Sequence, residues 1–272
     1  MFNIEFALPP EGFKRLFYDI ETSPNIGFFW QAGYKLNIPP ENIIKERAII
    51  CICWKWEGQK VVHSVEWQEG CDIAALSAFM AVALEADEIV GHNGDNFDEK
   101  WIRTRCLIHG IICPPKFTSL DTLKKARTHF RFNSNKLDYL GQLLLGKGKD
   151  SVSWSDWVAI VLKNDRDALD KMVAYCKVDV EVLEGVFHKL QPYVTSNSHA
   201  GAATGHGRYS CPACGSEETI NRGTRYTAAG LPRHRITCTN KLCGKHFTVS
   251  TKVLQDKIAD DYIKAKRNEP TL

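Results

Sequence analysis

The stretch RLFYDIETSP, residues 15–24, decides the fold and introduces the first candidate site. Its first six residues are typical of a buried strand, and the polar TSP that follows ends it. Side chains two residues apart on a strand point to the same face, so Asp19 and Glu21 would lie side by side. Two carboxylates at this spacing can hold a hard cation such as Mg²⁺ or Mn²⁺. A solvated strand end is the commoner explanation when such a pair stands alone.

Strand and helix patterns alternate after this first strand. Further strands are predicted over residues 47–56 (RAIICICWKW), 60–67 (KVVHSVEW) and 88–91 (EIVG). Helices are predicted over residues 72–86, which begin with an aspartate near the N-cap, and over residues 165–190. Because the alternation continues to the end of that last helix, the sequence predicts an α/β fold with a mixed β-sheet flanked by helices.

Two later segments supply further carboxylates. HNGDNFD, residues 92–98, follows the fourth strand and leads into a helix, so Asp98 would lie near the crevice where α/β sheets usually place their sites. Asp98 could equally stabilise the helix N-terminus, and Asp95 is a rival for either role. Tyr175 and Asp179 are four residues apart on one helix face. A tyrosine on a helix is, however, more often a residue at the edge of the core.

In order and spacing, these motifs resemble those of the DnaQ-like (DEDD) superfamily of 3′–5′ exonucleases, which have a ribonuclease H-like fold. YDIET is similar to that family's first motif, HNGDNFD to its second, and YCKVD, residues 175–179, to its third. The tyrosine of the third motif indicates the DEDDy branch, which includes the proofreading domains of family A and B DNA polymerases. Stand-alone polymerase-B-like exonucleases, often encoded by phages, are the nearest likeness, over about residues 14–190. LDYL at residues 137–140 looks like the family's spacer helix.

The resemblance implies a two-metal-ion mechanism at four carboxylates. Asp19, Glu21 and Asp179 would hold the Mg²⁺ or Mn²⁺ ion that activates water. Asp19 would bridge to a second such ion, which Asp98 would support. Tyr175 would orient the attacking water, because a phenol that titrates at about pH 10 is a poor general base. The family pattern selects Asp98 over Asp95 as the ligand.

A basic and aromatic segment between residues 116 and 136 is a candidate nucleic-acid surface. Basic side chains can follow phosphates while aromatic rings stack on unpaired bases. A solvated helix with its aromatics in the core explains the same pattern. The candidate contacts are Lys124, Lys125, Arg127 and Arg131 in this segment, whose aromatics are Phe117, Phe130 and Phe132, together with Trp30, Asn93, Arg233 and Arg235 elsewhere.

Four cysteines form two close pairs late in the chain, Cys211 with Cys214 and Cys238 with Cys243. Two thiolate pairs satisfy one tetrahedral Zn²⁺ ion, and a closed four-ligand site is structural. The arrangement resembles a zinc ribbon. The second pair is wider than the commonest spacing, so His246 is an alternative fourth ligand, and two disulfides are a further alternative. The other six cysteines are predicted to be reduced and mostly buried.

Charge and hydropathy set limits on partners and compartment. Residues 1–204 have 23 Lys/Arg and 26 Asp/Glu, a net charge of −3, whereas residues 205–272 have 12 and 6, a net charge of +6. An acidic body with a basic tail is typical of bound cations and an anionic partner, although an ordinary solvated surface also explains it. The sequence contains no apolar run of about 18 residues and no basic-then-apolar leader. It therefore predicts a cytoplasmic protein without membrane contact, acting in a host cytoplasm if phage-encoded.

The sequence thus predicts a DEDDy exonuclease domain over residues 1–191, a linker over 192–209, a zinc ribbon over 210–250 and a helical tail over 251–272. The expected function is 3′–5′ hydrolysis of single-stranded nucleic acid, with DNA favoured over RNA. A non-catalytic nucleic-acid-binding protein that retains the fold is the alternative from another class. A proofreading or processing subunit is a third hypothesis, with a polymerase or another replication or recombination protein as partner. The ribbon could equally dock a protein.

Overall fold

A computed structural model of the chain describes residues 8–31, 33, 36–147 and 152–267. Residues 14–186 form one compact unit, and the described residues before and after them form a second. Residues 1–7 of the predicted exonuclease domain and residues 268–272 of the predicted helical tail lie outside the described residues.

The first unit contains a five-stranded mixed β-sheet flanked by helices. A separate pair of short strands precedes the second long strand of the sheet. In chain order the elements are β1 (Arg15–Thr22), β2 (Ile26–Gly27), β3 (Ile43–Lys45), β4 (Ile49–Trp56), β5 (His63–Glu66), α1 (Ile73–Ala83), β6 (Glu88–Gly91), α2 (Asp98–His109), β7 (Ser119–Asp121), α3 (Thr122–His129), α4 (Leu137–Leu145), α5 (Trp154–Lys163) and α6 (Arg166–Leu190).

Strand β1 lies at the centre of this sheet, whose order is β5-β4-β1-β6-β7. It pairs antiparallel with β4 and parallel with β6, and the outer strands continue these two directions. Both β1 and β4 are buried over most of their length, as expected of strands that are covered on both sides. Strand β4 is apolar on both faces over most of its length. The predicted α/β fold with a mixed sheet flanked by helices is confirmed.

Alternation along β1 divides its side chains between the two faces of the sheet. Leu16, Tyr18 and Ile20 belong to the main hydrophobic core, together with buried residues of α1 and α2. Asp19 and Glu21 lie on the opposite face. The first acidic pair therefore stands at the end of a buried central strand and points away from the main core.

The aspartate predicted near the N-cap of the first helix, Asp72, does not cap α1 with its side chain. Its carboxylate instead accepts hydrogen bonds from the Ile49 N–H at 2.9 Å and from the Arg105 guanidinium at 2.7 and 2.8 Å. Asp72 is fully buried, and a buried carboxylate requires charged or hydrogen-bonding partners. The Asp72 carboxylate therefore forms an ion pair with Arg105 instead of capping α1.

The second unit contains a three-stranded antiparallel sheet of order β10-β9-β8 and a C-terminal helix. The helix α8 packs Val253 and Leu254 against a small core formed by Tyr209, Ile236 and Val249. Strand β8 is exposed over almost its whole length. The elements are α7 (Ala200–Ala203), β8 (Thr219–Tyr226), β9 (Pro232–Cys238), β10 (His246–Ser250) and α8 (Thr251–Arg267).

Part of the predicted linker, residues 192–209, packs against other residues of the second unit. Ala200 is fully buried, and its N–H donates to the Pro212 carbonyl at 3.0 Å. A Cβ atom at Gly201 would overlap the Ser210 hydroxyl. Ala200 and Gly201 therefore serve close packing, whereas Gly205 and Gly207 have open space around a Cβ position.

Candidate active site

Three of the four predicted carboxylates come together at one end of the central strand. Oxygen atoms of Asp19, Glu21 and Asp179 all lie within 4.8 Å of one another. Strand β1 provides the first two, and the third comes from the middle of α6. Hard divalent cations such as Mg²⁺ and Mn²⁺ prefer oxygen ligands of this kind, so the donor set fits such an ion.

The fourth predicted carboxylate, Asp98, is the first residue of α2 and is almost fully buried. Its Oδ1 atom accepts a hydrogen bond from the Ile20 N–H at 3.3 Å, which places it against the backbone between the two acids of β1. Its rival Asp95 forms an ion pair with Lys124 at 2.7 Å and accepts from the Ser119 hydroxyl at 2.8 Å. The geometry therefore favours Asp98 over Asp95 as a member of the cluster.

Burial and like charge both disfavour full ionisation of the cluster. Burial raises the pKa of Asp19 well above its usual range, and the charges of Asp98, Glu21 and Asp179 raise it further. Burial also raises the pKa of Asp98 to about 7. Like charges that are held together out of water disfavour full ionisation. A bound divalent cation would relieve this repulsion, which is a second reason that the cluster fits a metal ion.

Tyr175 lies one helical turn before Asp179 on α6 and is half-buried. Residues four apart on a helix share one face, so the phenol and the carboxylate face the same side of α6. This is the placement that the third motif predicted for them. The side chain of the intervening Cys176 is fully buried.

Asp121 was not selected by sequence reasoning, yet it organises the loop that carries Asp98. Its Oδ1 atom accepts from the Asn93 N–H at 3.0 Å and from the Leu123 N–H at 2.9 Å, so it both caps α3 and fixes the loop. Asn93 has a φ angle of 70°, a left-handed conformation that asparagine tolerates better than most residues. The sequence signal that could have identified Asp121 is the position of an aspartate between a strand and a helix.

The predicted nucleic-acid contacts of the first unit have mixed placements. Arg127 and Arg131 are exposed, whereas Lys124 is paired with Asp95 and burial lowers the pKa of the half-buried Lys125. The prediction that Phe117 is one of the aromatics that stack on bases is wrong, because its side chain is buried in the main core. Phe130 and Phe132 stack on each other, with ring centroids 5.2 Å apart. Trp30 is fully exposed.

The four late cysteines converge within the second unit. Their sulfur atoms all lie within 4.8 Å of one another, and the Cys211–Cys243 and Cys214–Cys238 sulfur pairs are each 3.7 Å apart. Sulfurs bound to one Zn²⁺ ion at about 2.3 Å would be about 3.8 Å apart, whereas bonded sulfurs are separated by only about 2 Å. The arrangement fits one tetrahedral Zn²⁺ ion better than two disulfides.

His246, the alternative fourth ligand, is not a member of this cluster. It is exposed, and its Nδ1 atom lies 2.9 Å from the Thr237 hydroxyl on the neighbouring strand. Arg233 and Arg235 are exposed on β9, where they alternate with the buried His234 and Ile236. The Arg235 guanidinium donates to the Arg222 carbonyl at 2.9 Å.

The fold and the acidic cluster together define an RNase H-like domain. The family model for the RNase H superfamily matches residues 45–191, which is more than half of the chain. The chain therefore belongs to the RNase H superfamily. Membership supports a nuclease-type function with nucleic acid as substrate, and nucleases of this superfamily use divalent metal ions.

Among solved structures, the chain is similar to the family B DNA polymerase from the hyperthermophilic archaeon Pyrobaculum calidifontis, with a TM-score of 0.51 and 14% sequence identity. The similarity covers 79% of this chain and 31% of the polymerase chain. The chain thus matches about a third of that protein's length, and at this identity the likeness shows the fold alone. No curated protein sequence matches the chain. Within the described residues, no helix has the length and hydropathy needed to cross a membrane.

Proposed function

We propose that the protein is a 3′–5′ exonuclease of the DEDDy type that degrades single-stranded nucleic acid, DNA rather than RNA. The observation that carries this proposal is the convergence of Asp19, Glu21 and Asp179 within 4.8 Å, with Asp98 bonded to the backbone of the same strand. These residues belong to three motifs whose order and spacing resemble those of DEDDy exonucleases. The likeness in fold to a family B DNA polymerase is consistent with that resemblance.

In this proposal each side chain of the cluster has a distinct task. Asp19, Glu21 and Asp179 would hold one Mg²⁺ or Mn²⁺ ion, Asp98 would support a second, and Asp19 would take part in both sites. When bound, two such ions activate a water molecule and stabilise the leaving 3′-oxygen. Tyr175 orients the attacking water by hydrogen bonding, since an un-ionised phenol is a poor base.

The substrate strand would approach past the loop that Asp121 fixes. A cavity of about 490 Å³ beside this loop is lined by His92, Arg127 and residues 133–137. Arg127 can contact a phosphate there, and the exposed Arg131 is a further candidate phosphate contact. The exposed Trp30 offers a ring on which an unpaired base can stack.

The second unit would add a structural Zn²⁺ ion and a basic surface. Cys211, Cys214, Cys238 and Cys243 are the proposed zinc ligands. Arg233 and Arg235 are the proposed phosphate contacts, because they are exposed on one face of β9. A second site that holds the strand raises its effective concentration at the first.

A ladder assay tests the proposed activity. Purified full-length protein with Mg²⁺ or Mn²⁺ is incubated with 5′-labelled DNA and RNA strands, and with circular single-stranded DNA. Stepwise shortening of linear DNA from its 3′ end, with the circle intact and RNA degraded more slowly, is the expected result. Binding without cleavage would instead support a non-catalytic nucleic-acid-binding protein, and rapid cutting of the circle would indicate an endonuclease.

A further inference from the structure

A second group of potential metal ligands lies within the first unit, apart from the carboxylates. The sulfur atoms of Cys51, Cys53 and Cys176 all lie within 4.8 Å of one another. All three side chains are fully buried. Cys51 and Cys53 are two residues apart on β4, which gives them the same face of the sheet, and Cys176 reaches them from α6. We name these residues the thiol triad.

The thiol triad is adjacent to the acidic cluster. In the antiparallel register of β1 and β4, Cys53 pairs with Asp19 and Cys51 pairs with Glu21. Paired residues on neighbouring strands present their side chains to the same face. The sulfur of Cys176 lies 3.5 Å from the Asp19 carbonyl oxygen and 3.7 Å from its Oδ2 atom. Asp19 is therefore within reach of an ion at either group.

The donor chemistry of the two groups differs. Thiolates select soft or borderline ions such as Zn²⁺ and Cd²⁺, whereas carboxylates suit Mg²⁺ and Mn²⁺. Three thiolates and one carboxylate oxygen make a complete tetrahedral set for Zn²⁺. Sulfurs bound to one such ion are about 3.8 Å apart, so the triad would need to contract by no more than about 1 Å.

Ordinary core packing is the competing explanation, because a free cysteine often behaves as a small hydrophobic residue. Cys106 shows that situation in the same unit, since it is fully buried in the main core. It is not part of a group of potential ligands among the described residues. The triad differs by having three sulfurs in mutual reach and a carboxylate beside them.

We propose that the thiol triad binds a thiophilic divalent ion, Zn²⁺, with a carboxylate oxygen of Asp19 as the fourth ligand. An ion there withdraws Asp19 from the Mg²⁺ or Mn²⁺ site, and its binding releases the protons of the three thiols to solvent. Zinc at the triad therefore inhibits the enzyme in competition with Mg²⁺. The inhibition rests on the proposed nuclease function, whereas the binding of zinc to the triad does not.

Metal content tests the binding step without any reference to activity. Full-length protein is produced in zinc-supplemented medium, and its zinc is measured by elemental analysis. Two zinc ions per chain are expected in the unmodified protein, one for the late cysteines and one for the triad. Cys53→Ala and Cys51→Ala should each reduce this to one, and the matched control Cys106→Ala should retain two. Thermal melting of each variant confirms folding, and a result of one zinc ion in the unmodified protein overturns the proposal.

Inhibition tests the functional consequence. Nuclease activity is measured in Mg²⁺ over a zinc titration in the unmodified protein, Cys53→Ala and Cys106→Ala. The zinc concentration that halves activity should rise at least about tenfold in Cys53→Ala, because a side chain that holds the metal is lost. In Cys106→Ala it should equal that of the unmodified protein. Equal inhibition in all three proteins overturns the inhibitory role of the triad. Two zinc ions without nuclease activity would leave the binding site standing and defeat the proposed function instead.

Discussion

The two units hold their candidate metal ligands in opposite ways. In the first unit the carboxylates come from three distant parts of the chain, at Asp19, Asp98 and Asp179, and each is anchored by a sheet strand or a helix. In the second unit the four cysteines come from two short segments and themselves form most of a small buried cluster. The fold positions the ligands in the first case, and we expect the ion to hold the fold in the second.

This difference follows from where the apolar area is buried. The main core of the first unit contains residues such as Leu16, Phe79 and Ile102 and excludes the carboxylates. Around the late cysteines, the other members of the buried cluster are Ala213 and the partly buried Phe247. So little apolar area stabilises a fold weakly, whereas a structural zinc site contributes its binding free energy directly to folding.

Zinc removal should give the largest effect, and it should affect the second unit and not the first. Stripping the protein with a strong chelator should unfold residues 211–250 and leave the five-stranded sheet intact, because zinc binding in such sites is worth about 10 kcal/mol or more. Hydrogen exchange measures this, as lost protection in β9 and β10 beside retained protection in β1 and β4. Cys238→Ala should reproduce the loss without a chelator, and Cys106→Ala should not. Unchanged hydrogen-exchange protection of β9 and β10 in a zinc-free sample would show that zinc does not hold the fold of the second unit.

Substitution of Asp19 should remove activity and leave the fold intact, whereas zinc removal should unfold the second unit. Asp19→Asn should reduce cleavage by more than about 10³-fold, because a metal ion contributes several kcal/mol of transition-state stabilisation. The fold should survive, and the melting temperature of the metal-free protein should rise, because one of several mutually repelling carboxylates is removed. Steady-state kinetics and thermal melting in chelator check the two effects.

Asp95 provides the matched control for Asp98, because both residues belong to the second motif, which runs from the end of β6 to the first residue of α2. Asp98→Asn should resemble Asp19→Asn, whereas Asp95→Asn removes an ion pair with the exposed Lys124 and should leave the rate nearly unchanged, since exposed pairs contribute little. Loss of activity in Asp95→Asn with full activity in Asp98→Asn would show that the second motif provides the other aspartate as ligand.

Much of the first unit was predictable because its central strands are rich in apolar residues. β1 and β4 each contain a nearly continuous apolar run, which indicates a buried strand without knowledge of its neighbours. The alternation rule then placed Asp19 and Glu21 on one face. Local spacing likewise placed Tyr175 beside Asp179 on a helix.

Pairing across distant segments was not predictable from local pattern. The thiol triad combines Cys51 and Cys53 of β4 with Cys176 of α6, and the register of β1 with β4 places the two strand cysteines beside Asp19 and Glu21. Neither arrangement can be deduced from one strand alone. Asp72 was expected to cap a helix, but its partner Arg105 lies 33 residues away in the chain. The segment 192–209 was expected to be a linker because small residues resemble flexible sequence, although they also permit close packing.

Tyr175→Phe should have an intermediate effect and would sharpen the division of tasks within the acidic cluster. If the hydroxyl orients water without holding metal, its loss should lower kcat by about 10- to 100-fold, the penalty typical of a misplaced reactant. The Mg²⁺ concentration at half-maximal activity should stay within about twofold, since no carboxylate is lost. A wild-type rate would remove the assigned role, and a large increase in the Mg²⁺ requirement would make the tyrosine part of the metal site.

The smallest effect is expected from the basic face of the second unit. Arg233→Gln with Arg235→Gln should leave zinc content and the rate at saturating substrate unchanged, because neither residue is one of the four cysteine ligands or one of the carboxylates of the acidic cluster. Each phosphate contact to a single strand contributes about 0.7 to the slope of log affinity against log salt. The double variant should therefore bind single-stranded DNA more weakly at low salt, with a slope shallower by about 1.4. Lys163→Gln, which removes an exposed charge on α5, is the control and should keep the original slope. If the double variant keeps the original slope as well, the exposed arginines do not contact the strand, and the second unit is then better explained as a surface that docks a protein.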